Sequence, residues 1–284
     1  KAYRNERGEV RLFRAVDNFK RMRTSCDRLC MPFVDESEAL GALEELIDLE
    51  REWIPTEIGT SLYIRPFMFA DDDSLGVHAA KKYKFVIILS PSGAYYSHGF
   101  APVALKIERE YVRACKGGTG AYKVIGNYAA SIKAGEIAQR EGYDQVLWLD
   151  GSERKYVEEV GAMNIFFVLG GKVVTPALNG SILPGITRDS VVKLLKASGV
   201  TVEERLVSID EITDGAKSGA LTEIFGTGTA AVISPVDRLG DGSADYIVGK
   251  RGSAGEIAGM LFDRLTGIQT GRLSDDFGWI TRID

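Results

Sequence analysis

Lys123 is a candidate for covalent chemistry because of its residue type and its position in the chain. It follows the Gly-rich run Lys116–Gly120 and precedes a helical pattern, and ligands commonly bind where such a hinge joins two domains. A lysine amine attacks carbonyl carbons once burial or a neighbouring cation lowers its pKa. The alternative is a solvated surface lysine. A phosphate-binding loop is excluded because Val124, rather than Ser or Thr, follows the lysine.

Glu158 and Glu159 are consecutive carboxylates in a segment, residues 157–160, whose pattern predicts a strand. Side chains alternate across a strand, so Glu158 and Val160 face one way and Glu159 faces the other. We therefore expect one of the two carboxylates to point inward, where it needs a cationic or hydrogen-bonded partner. The alternative is that both lie at an exposed strand end.

Two Gly-containing turns could bind an anion. In Leu183–Asp189, a Pro-Gly pair leads into a helix whose first amides lack partners, and Thr187 adds a hydroxyl; capping by Thr187 or Asp189 is the alternative. In Gly226–Ala230, alternating Gly and Thr could surround a phosphate or form an ordinary turn, and a missing third Gly excludes a dinucleotide fingerprint. A lysine for a Schiff base, an acid for a cation and two anion-binding turns together match what pyridoxal 5′-phosphate requires.

The composition excludes several other classes of protein. Hydrophobic residues make up 45% and charged residues 26% of the 284 residues, as in ordinary globular proteins, and no apolar run approaches the ~20 residues of a membrane span. The net charge of −5 argues against a nucleic-acid partner. Three cysteines and two isolated histidines suggest no metal site, and the sparse cysteine count predicts a reducing, cytoplasmic location.

The elements that must position these groups form a mixed α/β pattern with too many strands for an all-parallel sheet. Apolar spacing predicts helices at residues 15–30, after 35–37, at 128–141 and at 253–266, with helix, strand and helix across 187–216. Strands are predicted at residues 61–69, 83–89, 103–114, 145–149, 157–160, 163–168, 172–175, 221–225 and 230–233. We expect an α+β fold with a small N-terminal domain (1–114), a Gly-rich linker (115–122) and a large C-terminal domain (123–284).

Short motifs spread along the whole chain carry a family resemblance: Arg11–Arg14, Gly59–Pro66, Ser74–Val77, Gly126–Ala130, Glu159–Phe166, Leu183–Thr187, Phe225–Ala230, Leu265–Gln269 and Phe277–Trp279. In this order they resemble the motifs of branched-chain amino acid aminotransferases, which are pyridoxal-phosphate enzymes of fold type IV. The resemblance implies a two-domain fold of that type.

The resemblance also implies roles for individual residues. Lys123 would form the Schiff base with the cofactor and move a proton between the substrate α-carbon and the cofactor. Glu159 would pair with the pyridine nitrogen, and Tyr128 would hydrogen-bond the ring hydroxyl. Binding of the phosphate would fall to Arg21, Ile186, Thr187 and Thr229. The substrate pocket would be lined by Tyr63, Arg65, Tyr95, Ala162 and Ala230.

The activity that the resemblance implies is transamination of leucine, isoleucine or valine with 2-oxoglutarate by a homodimer or higher homo-oligomer. The alternatives are a D-amino acid aminotransferase, an aminodeoxychorismate lyase or a non-catalytic binding protein. Family members carry a strand and a pocket-lining motif before the position of Lys1, so we expect a segment to precede it. Ala231 and Ser234 stand where some relatives have a Cys-x-x-Cys pair, so we expect no such redox switch.

Overall fold

The computed structural model describes residues 1–93 and 100–283. Contacts divide the chain into two compact units, one formed by residues 1–95 with 264–284 and the other by residues 96–263. The C-terminal residues thus group with the N-terminal ones. The Gly-rich segment 115–122, which the sequence suggested as a linker, lies within the second unit.

Helices and strands interleave along the described residues. The helices are α1 (Ala15–Arg28), α2 (Glu36–Leu49), α3 (Ile125–Ala129), α4 (Ile132–Arg140), α5 (Ile186–Ala197), α6 (Ile209–Ser218) and α7 (Glu256–Thr270). The strands are β1 (Ala2–Arg4), β2 (Val10–Phe13), β3 (Ser61–Ala70), β4 (Tyr83–Ser92), β5 (Val103–Ile107), β6 (Gln145–Leu149), β7 (Val157–Val160), β8 (Asn164–Leu169), β9 (Lys172–Pro176), β10 (Val202–Arg205), β11 (Leu221–Gly228), β12 (Val232–Gly240), β13 (Asp245–Ile247) and β14 (Ile280–Ile283). Within the described residues, no helix is both long enough and apolar enough to cross a membrane.

The first unit is an antiparallel sheet in the order β14-β2-β1-β3-β4, with apolar residues of α1 and α2 in its core. The side chain of Asp35 caps α2, because it accepts hydrogen bonds from the amides of Ser37 and Glu38 at 2.9 and 3.2 Å. Among the described residues, β3 pairs with β1 only at Leu62, so Pro66 lies where the β1 side of β3 is an open edge. A proline fits such an edge because it has no backbone N–H to donate to a further strand.

The second unit is built on a mixed sheet in the order β10-β9-β8-β11-β12-β5-β6-β7, with β13 attached to β12. The β9/β10, β5/β12 and β5/β6 pairs are parallel and the others antiparallel, which confirms the predicted mixture. Buried aliphatic and aromatic side chains from most of these strands form one core, which includes Leu105, Leu147, Ile165, Phe167 and Ile224. Each of these residues is at most 1% exposed.

Two predicted elements are shorter or more divided than expected. The strand predicted over 103–114 ends at Ile107, because the Glu108 carboxylate accepts hydrogen bonds from the amides of Glu110 (2.7 Å) and Tyr111 (3.0 Å) and turns the chain. The helix predicted over 128–141 is divided into α3 and α4. The Ser131 hydroxyl donates to the Tyr128 carbonyl oxygen at 2.7 Å at the division.

Candidate active site

Several polar residues of the candidate site in the second unit lie on one face of its sheet. Asn164 on β8 is the register partner of Thr227 on β11. Both alternate with core residues, Ile165 and Ile224, and so occupy the face opposite to the core. The same alternation places Phe166 and Phe225 on that face, where their rings stack with centroids 5.3 Å apart.

Lys123 lies in a short loop that a neighbouring amide side chain holds closed. The Asn127 side-chain amide donates to the carbonyl oxygens of Thr119 (2.9 Å) and Tyr122 (2.8 Å), so the segments on either side of the loop are tied together. The Lys123 amine donates to the Tyr128 hydroxyl at 2.8 Å. Lys123 is exposed and Tyr128 half-buried, so the amine is reachable by a ligand.

Glu159, one of the two carboxylates that the strand pattern offered, is buried, at 4% exposure. Its Oε2 lies 2.8 Å from Arg113 Nε, so the two side chains form an ion pair. The geometry at this Nε does not meet the criteria for a hydrogen bond. Its Oε1 accepts hydrogen bonds from the Asn164 side-chain amide (2.9 Å) and the Leu183 backbone amide (3.2 Å). Glu158 is also buried, at 3% exposure, so the strand buries both carboxylates and not one of them.

The charge state of Glu159 is balanced between opposing effects. Burial raises the pKa of this carboxyl to about 7, against the lowering effects of the Arg113 charge and the Leu183 amide. The Glu158 charge raises the same pKa, and the charge of Lys123 lowers it. A ligand cation beside Glu159 would therefore fix it in its ionised form.

Helix α5 begins beside Asn164, and its N-cap residue offers no side chain to its first amides. Gly185, which has no side chain, is its N-cap residue, so neither Thr187 nor Asp189 occupies the N-cap position. The first turn of such a helix attracts anions. A Cβ atom on Gly185 would collide with Oδ1 of Asn164, so glycine is needed for α5 to start against the residue that holds Glu159.

Two hairpin turns lie at one end of the sheet, as the pairing of Asn164 with Thr227 requires. The β7–β8 turn contains Ala162, and the β11–β12 turn comprises residues 229–231, with Thr229 exposed. The turn predicted to start at Gly226 starts later, because Gly226 and Thr227 still pair with β8 and β12. The Thr227 hydroxyl is buried and has no hydrogen-bond partner among the described residues.

The predicted site residues of the first unit lie on α1 and β3. Arg21 is half-buried on α1 and donates to Oδ1 of Asn18 at 3.0 Å. Tyr63 and Arg65 are two positions apart on β3 and so share a face, where the guanidinium carbon lies 5.2 Å from the Tyr63 ring centroid. Tyr95 lies outside the described residues.

Sequence reasoning missed two residues that support Glu159. The sequence predicts a cationic or hydrogen-bonded partner for a buried carboxylate but does not identify Arg113, which is far from Glu159 along the chain. Asn164 lies in the motif Glu159–Phe166. Strand alternation could not predict that its side chain faces Glu159, because a turn separates the two residues. In the described part of the chain, no cluster of His, Cys, Asp and Glu could hold a metal ion.

The chain resembles known proteins along its whole length. The sequence profile of the family described as "Amino-transferase class IV" matches residues 2–239. The chain is 53% identical over 283 residues to branched-chain-amino-acid aminotransferase 2 of Bacillus subtilis (strain 168), a match that covers 100% of this chain and 78% of the relative.

Solved structures give the same result. The branched-chain amino acid aminotransferase of Escherichia coli superposes with a TM-score of 0.84 at 28% identity, covering 100% of this chain and 88% of that one. The branched-chain amino acid aminotransferase of Thermobaculum terrenum, solved in its PLP-bound holo form, has a TM-score of 0.82 at 25% identity, covering 100% of this chain and 87% of that one.

Proposed function

The chain belongs to the class IV aminotransferases, and we propose that it transfers the amino group of leucine, isoleucine or valine to 2-oxoglutarate. The observation that carries this proposal is the Lys123 amine, 2.8 Å from the Tyr128 hydroxyl, in the same unit as the buried carboxylate Glu159, whose pKa the Lys123 charge lowers. The choice of substrates rests on similarity to branched-chain amino acid aminotransferases along the whole chain.

The second unit fits pyridoxal phosphate, the cofactor of this family. Glu159 is a buried carboxylate whose pKa, raised to about 7, suits a partner that carries a positive charge. The start of α5, where the N-cap residue is a glycine, and the turn at residues 229–231 suit an anion. The buried Thr227 hydroxyl, without a hydrogen-bond partner among the described residues, lies on the same sheet face.

In the mechanism that we propose, Lys123 and Glu159 handle protons at two different atoms. Bound pyridoxal phosphate supplies an electron sink for the negative charge that develops when the substrate α-carbon loses its proton. Lys123 would accept that proton and return it to the aldehyde carbon of the cofactor, and the Tyr128 hydroxyl orients the Lys123 amine. Glu159 keeps a proton on the pyridine nitrogen, so that the ring can accept electron density.

The remaining contacts that we propose in the second unit are made mostly by backbone amides. Ile186 and Thr187, at the start of α5, would hold the phosphate together with Thr229. The amides of Ala162 and Ala230 would hold the substrate carboxylate. The roles of Arg21, Tyr63, Tyr95 and Arg65 in phosphate and substrate binding stay predictions.

The oligomeric state and the cellular location are also proposals. We propose a homodimer, because Leu75 and Val77 are fully exposed in a motif that resembles the family's. A cytoplasmic location agrees with Cys26, Cys30 and Cys115, all of which are free thiols.

The proposed function is tested by an assay of L-leucine with 2-oxoglutarate. Lys123→Ala should lower kcat by at least about 100-fold, because it removes the group that moves the proton. Lys133→Ala, which changes an exposed lysine on α4, should stay within about twofold of wild type. Borohydride reduction and peptide mass spectrometry should find pyridoxyl phosphate on Lys123.

Other outcomes would contradict parts of this proposal. Faster turnover of D-alanine than of L-leucine would indicate a D-amino acid aminotransferase. Failure of the wild-type protein to bind pyridoxal phosphate would contradict the proposed function altogether. An adduct on another lysine would contradict the role of Lys123.

A further inference from the structure

Glu158 is a buried carboxyl for which the proposed mechanism has no use. It is 3% exposed and lies next to Glu159 on β7, whose four residues are all buried. In the described part of the chain it forms no ion pair within 4.0 Å, and its Oε2 has no hydrogen-bond partner. A buried polar group is costly unless its contacts serve the fold or the site, so the contacts of Glu158 need an explanation.

The contacts that Glu158 does make all lead to the loop between β9 and α5. Its Oε1 accepts a close hydrogen bond from the Ser181 hydroxyl and a longer one, at 3.3 Å, from the Asn179 side-chain amide. Ser181 is fully buried, and its backbone amide donates to Oδ1 of Asn179 at 3.0 Å. Glu158 therefore fixes the position of Ser181 from one side.

Ser181 in turn holds Arg113 from the other side. One Arg113 amino group, Nη2, donates to the Ser181 carbonyl oxygen in a close hydrogen bond and lies 3.4 Å from the Gly120 carbonyl oxygen. A Cβ atom on Gly120 would collide with the Ser181 carbonyl, so the two backbones touch here. The Nε atom of the same guanidinium faces Glu159 at 2.8 Å.

We propose that Glu158 is a positioning residue, which fixes Ser181 and thereby Arg113 so that Glu159 faces the pyridine nitrogen of the bound cofactor. This inference rests on the proposed function, because it assumes that Glu159 meets the ring nitrogen. The connection runs from Glu158 to Ser181, then to Arg113 and finally to Glu159. The direct effect of the Glu158 charge, which raises the pKa of Glu159, acts in the opposite direction, because its removal favours the ionised carboxylate. Glu158 itself touches neither cofactor nor substrate. Its effect on the cofactor should therefore vanish when Glu159 is absent.

The test is a double-mutant cycle on the dissociation constant of pyridoxal phosphate, measured by fluorescence with the full chain after removal of its cofactor. Glu158→Ala should raise this constant by about tenfold, because the guanidinium beside Glu159 is no longer held in place. In a Glu159→Ala background the same change should raise it by less than about twofold. Glu158→Gln keeps an oxygen for the Ser181 hydroxyl and should stay within about threefold of wild type.

A cofactor analogue provides a second arm that does not depend on mutating Glu159. In 1-deazapyridoxal 5′-phosphate, a carbon replaces the ring nitrogen, so Glu159 has no cationic partner to meet. Glu158→Ala should change the dissociation constant of this analogue by less than about twofold. Ser181→Ala removes the hydroxyl that donates to Glu158 and should reproduce the result of Glu158→Ala with both ligands, which keeps the test available if Glu158→Ala fails to fold.

Thr175→Val is the matched control for a merely structural effect. The Thr175 hydroxyl is also buried and donates to the Ile165 carbonyl oxygen at 2.7 Å, and among the described hydrogen bonds and ion pairs it has none with Arg113 or Glu159. This change should lower the melting temperature and leave the dissociation constants of both ligands unchanged.

The outcomes separate this inference from the proposed function. Equal effects of Glu158→Ala in the wild-type and Glu159→Ala backgrounds, or equal effects on the two ligands, would overturn the positioning role while leaving the aminotransferase function intact. Absence of pyridoxal phosphate binding by the wild-type protein would overturn both.

Discussion

Glu159 shows how one buried carboxyl can be prepared for a cationic partner. Burial favours its neutral form, whereas Arg113 favours its charged form, and the balance leaves the pKa at about 7. A positively charged ring nitrogen would add a second charge that favours ionisation. Binding of the cofactor should therefore lower this pKa and transfer the proton of the carboxyl to the ring.

This balance predicts the pH dependence of stability of the cofactor-free protein. Because the pKa is about 7 when folded and about 4.5 when unfolded, the native state binds more protons between these values. The stabilising contribution of Glu159 is therefore complete below about pH 4.5 and is lost as the pH rises through about 7. Relative to Glu159→Gln, the free energy of unfolding should fall by up to about 3 kcal/mol across this range.

Urea unfolding of both proteins between about pH 5 and pH 8 checks this expectation. The difference between wild type and Glu159→Gln should decline with rising pH. Parallel profiles would show that the Glu159 pKa is not raised by folding. Saturation with pyridoxal phosphate should flatten the decline, since the bound cation keeps Glu159 ionised at every pH tested.

At the scale of elements, the start of α5 links the anion-binding turn to the carboxylate. Gly185 packs against the side chain of Asn164, and the amide of the same side chain donates to Glu159 and to the Leu183 carbonyl oxygen at 2.9 Å each. Movement of the helix start would therefore disturb both ends of the proposed cofactor site.

Gly185→Ala tests this link, with Gly135→Ala as its control. The φ angle of Gly185 is −68°, which alanine adopts freely, so the expected destabilisation of about 1–3 kcal/mol comes from the collision with Asn164 alone. Gly135 lies within α4 with open space around it, and alanine there should stabilise the protein by up to about 1 kcal/mol. Thermal unfolding and pyridoxal phosphate affinity measure both effects.

The affinity measurement separates packing from function. Gly185→Ala should also weaken pyridoxal phosphate binding, because Asn164 would shift and Glu159 with it, whereas Gly135→Ala should leave binding unchanged. Unaltered binding by Gly185→Ala would show that the start of α5 is not coupled to the cofactor.

The local pattern of the sequence was sufficient for most elements and for some of the site. Alternation along β7 predicted a buried carboxylate at Glu158 or Glu159, and apolar spacing predicted α1 and α2. The same pattern could not show that Glu108 turns the chain after β5, because that depends on a carboxylate meeting two backbone amides. Nor could it find Arg113, whose partner is distant in the sequence.

At the scale of the whole molecule, local patterns could not predict that the two ends of the chain pair. β14 adds to the sheet of the first unit beside β2, with Ile280 opposite Phe13 and Ile283 opposite Val10. Periodicity describes the face that a strand buries but not the strand that it pairs with. For this reason local patterns place residues 264–283 in the large C-terminal domain (123–284) and not with the first unit.

The proposed homodimer is tested at the same scale. Leu75→Ser combined with Val77→Ser should shift the protein toward the monomer in sedimentation or light-scattering experiments, since it removes two fully exposed apolar side chains from one loop. Leu49→Ser changes an exposed leucine on α2 and should leave the mass unchanged. A wild-type protein that is monomeric at micromolar concentration would refute the dimer.

The pairing of β14 with β2 also has a consequence for biosynthesis. The ribosome makes residue 280 about 270 residues after residue 10, with the whole second unit translated in between. At ~5–20 residues per second, β2 remains without this neighbour for roughly 15–50 s. During that time the edge of β2 that β14 later covers is open. A chaperone would have to shield this edge from other polypeptides.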